Sequence, residues 1–337
     1  MLRCGPGTTL QDRGRFGYLR FGVTQSGPMD WASFLTANLA LGNDARAAAI
    51  EIPTGGVELI CEATPLWIAF AGGAFIWRRD GKDLPKAARV KLEPGSLLVA
   101  RAGDFGSFAY LAIARGFDAP LVMGSRATHL RSGLGGVDGR MLKEGDILTP
   151  LASPGGAEGH RCEARIEAPW LARDLAPIRV VPGPQDDFFA SETLAAFFSA
   201  NFALTPRADR MAYKFDGPEI PHSKGHDIVS DGVALGAIQI PGDRKPLVLM
   251  ADCQPTGGYP KIGHVARADI GRLAQMRPGE ICRFMPVSAA EARCALLALE
   301  NDIAATARSL RPLHPSLTTE WLLSVNLIDG VHNPLKR

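Results

Sequence analysis

Short apolar runs broken by Gly, Pro and charged residues dominate the chain. Runs over 57–61, 66–71, 96–101, 108–114, 178–181, 234–240, 247–251, 262–266 and 282–286 have strand length and strand composition. The longest apolar stretch, 65–77, is too short to span a bilayer and carries two glycines, so it reads as a buried strand with a turn. Helical periodicity is confined to about 30–41, 186–200, 269–276, 288–307 and 316–325. Ser288 with Glu291 three residues on is a capping box for the fourth of these, and Asp269 is placed to cap the third. Strands do not alternate strictly with helices. The pattern therefore predicts a mainly β chain with a few covering helices, folded as two barrels or sandwiches, rather than a doubly wound parallel sheet.

The two halves echo each other. Gly27-Pro28-Met29-Asp30 and Gly183-Pro184-Gln185-Asp186 each precede a helical pattern, with Gly at the N-cap, Pro at the first helical position and Asp in the first turn. Ile50-Glu51-Ile52-Pro53 is matched by Ile238-Gln239-Ile240-Pro241, and Leu92-Glu93-Pro94-Gly95 by Met276-Arg277-Pro278-Gly279. Three matches in one order suggest a duplicated unit. Between them, Ser153-Pro154-Gly155-Gly156 and the charged stretch after it break the periodicity. The expected division is a first β-barrel-like domain over 1–152, a linker over 153–177 and a second domain over 178–337.

Composition narrows the class. With 337 residues, 46% hydrophobic and 21% charged, the chain is globular and long enough for two domains. Its 37 basic and 35 acidic residues give a net charge of +2, which predicts neither nucleic-acid nor membrane binding. The first 17 residues carry arginines and no apolar core, unlike a signal peptide. Six cysteines at 4, 61, 162, 253, 282 and 294 form no Cys-x-x-Cys pair, so reduced thiols and a cytoplasmic location are expected.

Several chemistries lack their motif. The sequence has no Gly-x-x-x-x-Gly-Lys-Ser/Thr, no Gly-x-Gly-x-x-Gly between strand and helix, no Gly-x-Ser-x-Gly and no Met-Lys-Met-like biotinylation site. His222 and His226 sit among loop residues, and no metal site is expected. The richest segment is Asp252-Cys253-Gln254-Pro255-Thr256-Gly257-Gly258-Tyr259-Pro260-Lys261, a loop between two strand-like runs. Its paired glycines allow φ > 0 and close approach of a ligand, and Gln254, Thr256, Tyr259 and Lys261 bring four kinds of polar group. A polar hairpin loop with no further role fits the same residues. Cys253 reads as a small space-filling side chain at a strand end, or as a nucleophile. Ser26 and Asp30 flank a helix start where free N–H groups can hold an anion, or they are helix-end residues only. Arg126, in Gly124-Ser125-Arg126-Ala127-Thr128-His129, can clamp a carboxylate or bridge loop carbonyls. Asp209-Arg210 reads as a structural ion pair.

Together these segments resemble one family. They are Asp12-Arg13-Gly14-Arg15, Ser26-Gly27-Pro28-Met29-Asp30, Gly42-Asn43, Gly124-Ser125-Arg126, Asp209-Arg210-Met211, Gly236-Ala237-Ile238-Gln239-Ile240-Pro241 and Gln254 to Lys261. The family is variously called biotin-dependent carboxyltransferase, allophanate hydrolase subunit 2 or the C-type subunit of 5-oxoprolinase. The chain also resembles part of the carboxyltransferase region of urea carboxylase, and the antagonist partner of a sporulation-kinase inhibitor. It departs from the family at Pro255, where Thr is usual, and at Cys253, where Arg is frequent.

The resemblance implies a duplicated cyclophilin-like β-barrel architecture. It implies a B-type partner (allophanate hydrolase subunit 1-like) and an ATP-using A-type partner, the three opening 5-oxoproline to glutamate. The alternatives are a carboxyltransferase component acting on urea or a related amide, with carboxybiotin supplied by another chain, or a regulatory protein that antagonises a kinase-inhibitor-like partner. No cofactor is expected to be bound covalently; ATP or carboxybiotin comes from partner subunits. Both enzymatic readings activate an amide or lactam on which negative charge develops, which needs donors for its oxygen and an acid or base for its nitrogen. Lys261 and Tyr259 are candidate catalytic donors, with Asp30 or Asp252 as base. Ser26, Arg126, Gln254, Thr256, Gly257 and Gly258 are candidate substrate-binding residues, Arg126 for a substrate carboxylate.

Overall fold

The computed structural model describes residues 1–152 and 161–313. Helices α1 (Trp31–Ala40), α2 (Ser191–Ser199), α3 (Ile270–Ala274) and α4 (Ala289–Ala304) are the α-helices among them, and strands supply the rest of the framework. The expected helix over 316–325 lies outside the described residues.

The first half is built from two sheets. One has five strands, with Leu97–Arg101 at its centre; the other has seven, with Phe108–Ile113 between Ala49–Pro53 and Leu66–Gly72. Side chains from both sheets share one core that includes Ile50, Ile52, Val57, Ile68, Phe70, Trp77, Leu98 and Leu111. The opposite face of the seven-stranded sheet carries Ala49, Ala69, Ala71, Tyr110 and Ala112, which pack under Phe34, Ala37 and Leu41 of the α1 segment. Strands buried on both faces are continuously apolar, and the small residues on the helix side let α1 lie close.

The second half closes into a seven-stranded barrel. Going round it, the strands are Ile178–Pro182, Lys261–Val265, Ala237–Gln239, Leu247–Leu249, Ala212–Asp216, Asn201–Ala208 and Ile281–Pro286. Closure comes from Ile178–Pro182, which pairs antiparallel with one neighbour and parallel with the other. Phe202, Phe215, Ile238, Ile240, Val248, Met250, Ile262 and Phe284 point into its core. Ala237, next to Ile238, and Leu249, between Val248 and Met250, point outward and join Val233 and Cys253 in a small separate cluster. The period of two thus assigns each residue to one side of the wall.

Part of the segment expected to be linker belongs to the first half. Ala164–Ile166 extends the seven-stranded sheet, and Leu310–Pro312 pairs with it after α4 has crossed back.

Candidate functional site

The 252–261 loop does connect two strands, and a short strap roofs it. Thr256–Gly257 pairs antiparallel with Asp231–Gly232 on the outside of the barrel. Beneath the strap, Lys261 and Gln239 face each other across adjacent strands. Both are buried, at 1% and 0% exposure. The backbone N–H of Lys261 donates to Gln185 Oε1 at 3.1 Å, and its Nζ donates to Asp231 at 2.8 Å. The Nζ bond, with the N–H of Gly232, holds the exposed Asp231 carboxyl below its usual range. An ammonium has three donors, and Asp231 is the side-chain partner that Lys261 has among the described residues. Neither Gln239 Oε1 nor Nε2 has a hydrogen-bond partner, and Gln254 Oε1 is likewise buried and unpartnered. Tyr259 and Thr256 are exposed at the strap's edge.

The paired glycines act otherwise than the sequence suggests. Neither Gly257 nor Gly258 has a positive φ. At Gly257 a Cβ would come within 2.4 Å of Gln239 Nε2, so any larger residue there displaces that side chain. At Gly258 a Cβ would meet only Ile228 O at 3.5 Å and Ser230 Oγ at 3.8 Å, ordinary contacts.

A second polar cluster lies where the halves meet. Arg210 donates through Nε to Asp252 at 2.8 Å, through Nη1 to Glu51, and through Nη2 to Gly27 O at 2.7 Å. Glu51 also accepts from Met29 N and Tyr110 Oη. Burial opposes the Arg210 charge, but Asp252 and Glu51 more than offset it and raise its pKa. Burial beside Glu51 likewise pushes the Tyr110 phenol well up. Ser26, with a φ of 55°, accepts from Arg15 Nη1 at 3.2 Å. His129 is 4% exposed with both ring nitrogens unpartnered, and its burial lowers its pKa against the pull of Asp252. The Arg126 backbone N–H donates to Asp12 at 2.6 Å, while its guanidinium Nε is buried without a partner.

The structure thus divides the expected residues among different places. Tyr259, Thr256, Gly257 and Gly258 belong to the strap with Lys261 beneath it; Asp252 and the segment beside Ser26 belong to the seam, with Gln254 on the segment joining them, and Arg126 lies beside Asp12 in the first half. Asp30 meets the second half at another point of the seam, through Gln275. It is the N-cap of α1, not a first-turn residue, and accepts from Ala32 N, Ser33 N, Ser33 Oγ and Gln275 Nε2. It lines a cleft of about 450 Å³ running beneath α4 with Gly73 and Gln275. Both carboxylates expected to act as a base are therefore already engaged, Asp30 as a cap and Asp252 by the fork of Arg210. Asp209 does not pair with Arg210; it accepts from Met211 N and Ala212 N in a turn. The helix after Gly183 begins only at Ser191, capped by Ala190, and Asp269 pairs with Arg179 instead of capping α3. Burial and the nearby Asp252 push the Cys253 thiol up to about 11, which favours the space-filling reading over the nucleophile. Among the described residues no group of three His, Cys, Asp or Glu is placed to hold a metal ion.

Sequence reasoning did not assign Asp231, Gln185, Gln239 or Glu51 to a site. The repeated Ile-x-Ile-Pro motif was the available signal for the last two, since it puts one polar side chain between two inward-facing isoleucines.

Comparison with known proteins places this geometry. The family model described as "Carboxyltransferase domain, subdomain A and B" matches residues 21–286. The chain is 35% identical over 294 residues to the C-type subunit of Escherichia coli 5-oxoprolinase, covering 87% of this chain and 92% of that one. It is 33% identical over 310 residues to the urea amidolyase of Saccharomyces cerevisiae, of which it covers only 16%. The Kluyveromyces lactis urea amidolyase structure superposes with a TM-score of 0.84 at 27% identity, over 92% of this chain and 20% of that one. The Kluyveromyces lactis urea carboxylase structure gives 0.82 at 30% identity, over 93% and 29%. The chain thus spans a fifth to under a third of these solved relatives. The match across most of its length, on the same closed-barrel framework, makes this chain a member of the carboxyltransferase family that carries subdomains A and B.

Proposed function

We propose that this chain is the C-type subunit of an ATP-dependent 5-oxoprolinase complex, a hydrolase that opens the lactam of 5-oxoproline to glutamate. The observation that carries the reading is end-to-end similarity. The C-type subunit of Escherichia coli 5-oxoprolinase is matched over 92% of its length, whereas the Saccharomyces cerevisiae urea amidolyase is matched over 16%. On this reading the chain works with A-type and B-type partners in the cytoplasm. ATP is handled by the A-type partner, since this sequence has no Lys-bearing phosphate loop.

The chemistry of the strap supports an amide-processing role. Charge develops on the carbonyl oxygen as a lactam is attacked, and the buried Lys261 ammonium, with donors to spare, is suited to that oxygen. Tyr259 and Thr256 at the edge offer further hydroxyl donors. Arg126 makes its hydrogen bonds within the first half, apart from the strap, and is not assigned to the molecule that Lys261 would hold. Asp252 serves to fix Arg210 and the start of the loop, and proton transfer at the lactam nitrogen is assigned to a group brought by a partner chain. The test is ATP-dependent glutamate release in the reconstituted complex carrying Lys261→Ala. Loss of turnover supports this role; full turnover refutes it.

A second reading is favoured by the fold match to urea amidolyase and urea carboxylase. There the chain receives a carboxyl group from carboxybiotin on another chain and passes it to urea. Carboxylation of urea by the complex, with no glutamate released from 5-oxoproline, would select it. The regulatory reading predicts that omitting the chain leaves the partners' activity unchanged or raises it.

A further inference from the structure

Gln239 is the most anomalous polar residue in the barrel. It is completely buried, yet both atoms of its carboxamide lack a partner. Burying an amide unpaired is unfavourable, so a retained case requires an explanation. The first half supplies an internal control. Glu51 occupies the matching place in Ile50-Glu51-Ile52-Pro53, is equally buried, and is fully engaged by Met29, Tyr110 and Arg210. The second copy of the motif thus keeps a buried polar group while shedding its internal partners.

The surroundings say what would satisfy it. Ile238 and Ile240 point into the barrel core, so Gln239 points to the outer wall under the strap. Its cross-strand neighbour is Lys261, and Gly257 lies directly over its Nε2. A carboxamide presents one N–H donor and one carbonyl acceptor side by side, whichever way it is turned. The complement is an amide whose N–H and C=O lie on the same edge. Lactams, ureas and primary amides have that edge; a trans peptide bond does not, because its N–H and C=O point in opposite directions.

We infer that Gln239 reads the amide edge of the substrate, forming a reciprocal pair of hydrogen bonds with a lactam or urea group while Lys261 faces the same carbonyl oxygen. This deepens the proposed function and rests on its claim that the substrate is an amide. The edge is reached when the strap lifts. Lifting breaks the two-residue ladder between Asp231–Gly232 and Thr256–Gly257 and the flanking bonds from Val233 N–H to Pro255 O at 3.0 Å and from Ile228 N–H to Gly258 O at 2.9 Å; a two-stranded ribbon of this length has little stability of its own.

The test compares 2-pyrrolidinone with N-methyl-2-pyrrolidinone, which keeps the ring and carbonyl but lacks the N–H. Their dissociation constants are measured by calorimetry on the complex containing wild-type chain, Gln239→Leu or Gln239→Met, with 5-oxoproline and urea as further ligands. Wild type is expected to prefer the N–H lactam by about tenfold or more, and the variants to bind both lactams alike. Two variants are used so that a folding failure in one does not silence the comparison. An unchanged preference in the variants, or no lactam binding to wild type, overturns the inference and leaves Gln239 as a group solvated by enclosed water. Tighter binding of 5-oxoproline or of urea identifies which source of the amide edge the site takes. The 5-oxoprolinase reading stands or falls separately, on whether the wild-type complex releases glutamate.

Discussion

At the scale of single residues, a few positions decide more than their neighbours. Arg210 ties Glu51 of the first half to Asp252 of the second, and removing it strands two buried carboxylates. Arg210→Met is expected to destabilise the fold by about 3–5 kcal/mol in urea titrations, as for other broken buried ion pairs. Asp209→Ala, next door, removes only a turn's hydrogen bonds and should have a much smaller effect. Gly257 and Gly258 look alike in the sequence but differ in space. Gly257→Ala should lower turnover of the complex by displacing Gln239, while Gly258→Ala should change stability by no more than about 0.5 kcal/mol. Similar losses from both would contradict the assigned geometry. His129 and His264 both have pKa values lowered chiefly by burial. A histidine depressed on folding binds its proton more readily when unfolded. Its contribution to stability is thus present above the unfolded pKa of about 6.5 and lost as pH falls through the folded value. Unfolding midpoints should drop from pH 7 to pH 5, and His129→Gln should flatten that drop.

At the scale of elements, legibility followed locality. α4 was readable because its capping box spans four residues, and Ser288 and Glu291 do form it. Ser288→Ala is expected to cost about 1 kcal/mol and to leave the strap's chemistry unchanged, measured as a shift in unfolding midpoint against unaltered turnover. α1 was readable in extent, though its cap was misplaced, because proline after glycine outweighed an aspartate whose side chain reaches two backbone N–H groups. The strand Asn201–Ala208 went unseen. Phe202 and Leu204 alternate inward as a strand should, but Thr205-Pro206 interrupts the run, and proline argues against a strand unless a bulge accommodates it. Ile76–Arg79 and Lys82–Leu84 were hidden by their charge, which in Lys82–Leu84 suits a strand at the sheet edge. The site divides the same way. The 252–261 loop announced itself through clustered polar and glycine residues. Asp231 and Gln185, brought to Lys261 from 30 and 76 residues away, carried no local signal.

At the scale of the whole molecule, the two halves are joined more firmly than the expected linker suggested. Seam contacts run through Arg210, through Gln275 to Asp30 and Phe108 O, and through Arg277 to Gly106 O. The return of Leu310–Pro312 to the first sheet adds a clasp. The strap is thus carried on a rigid frame, while its own segments are joined by a two-residue ladder and two flanking backbone bonds, an arrangement in which a loop can move without the scaffold moving. The proposed site is therefore on the outer wall of the second barrel, beneath the strap. The most direct test is glutamate release from 5-oxoproline and ATP by the A-type and B-type partners, assayed with this chain present and absent. Release that requires this chain is the predicted result; release of equal rate without it would contradict the assignment.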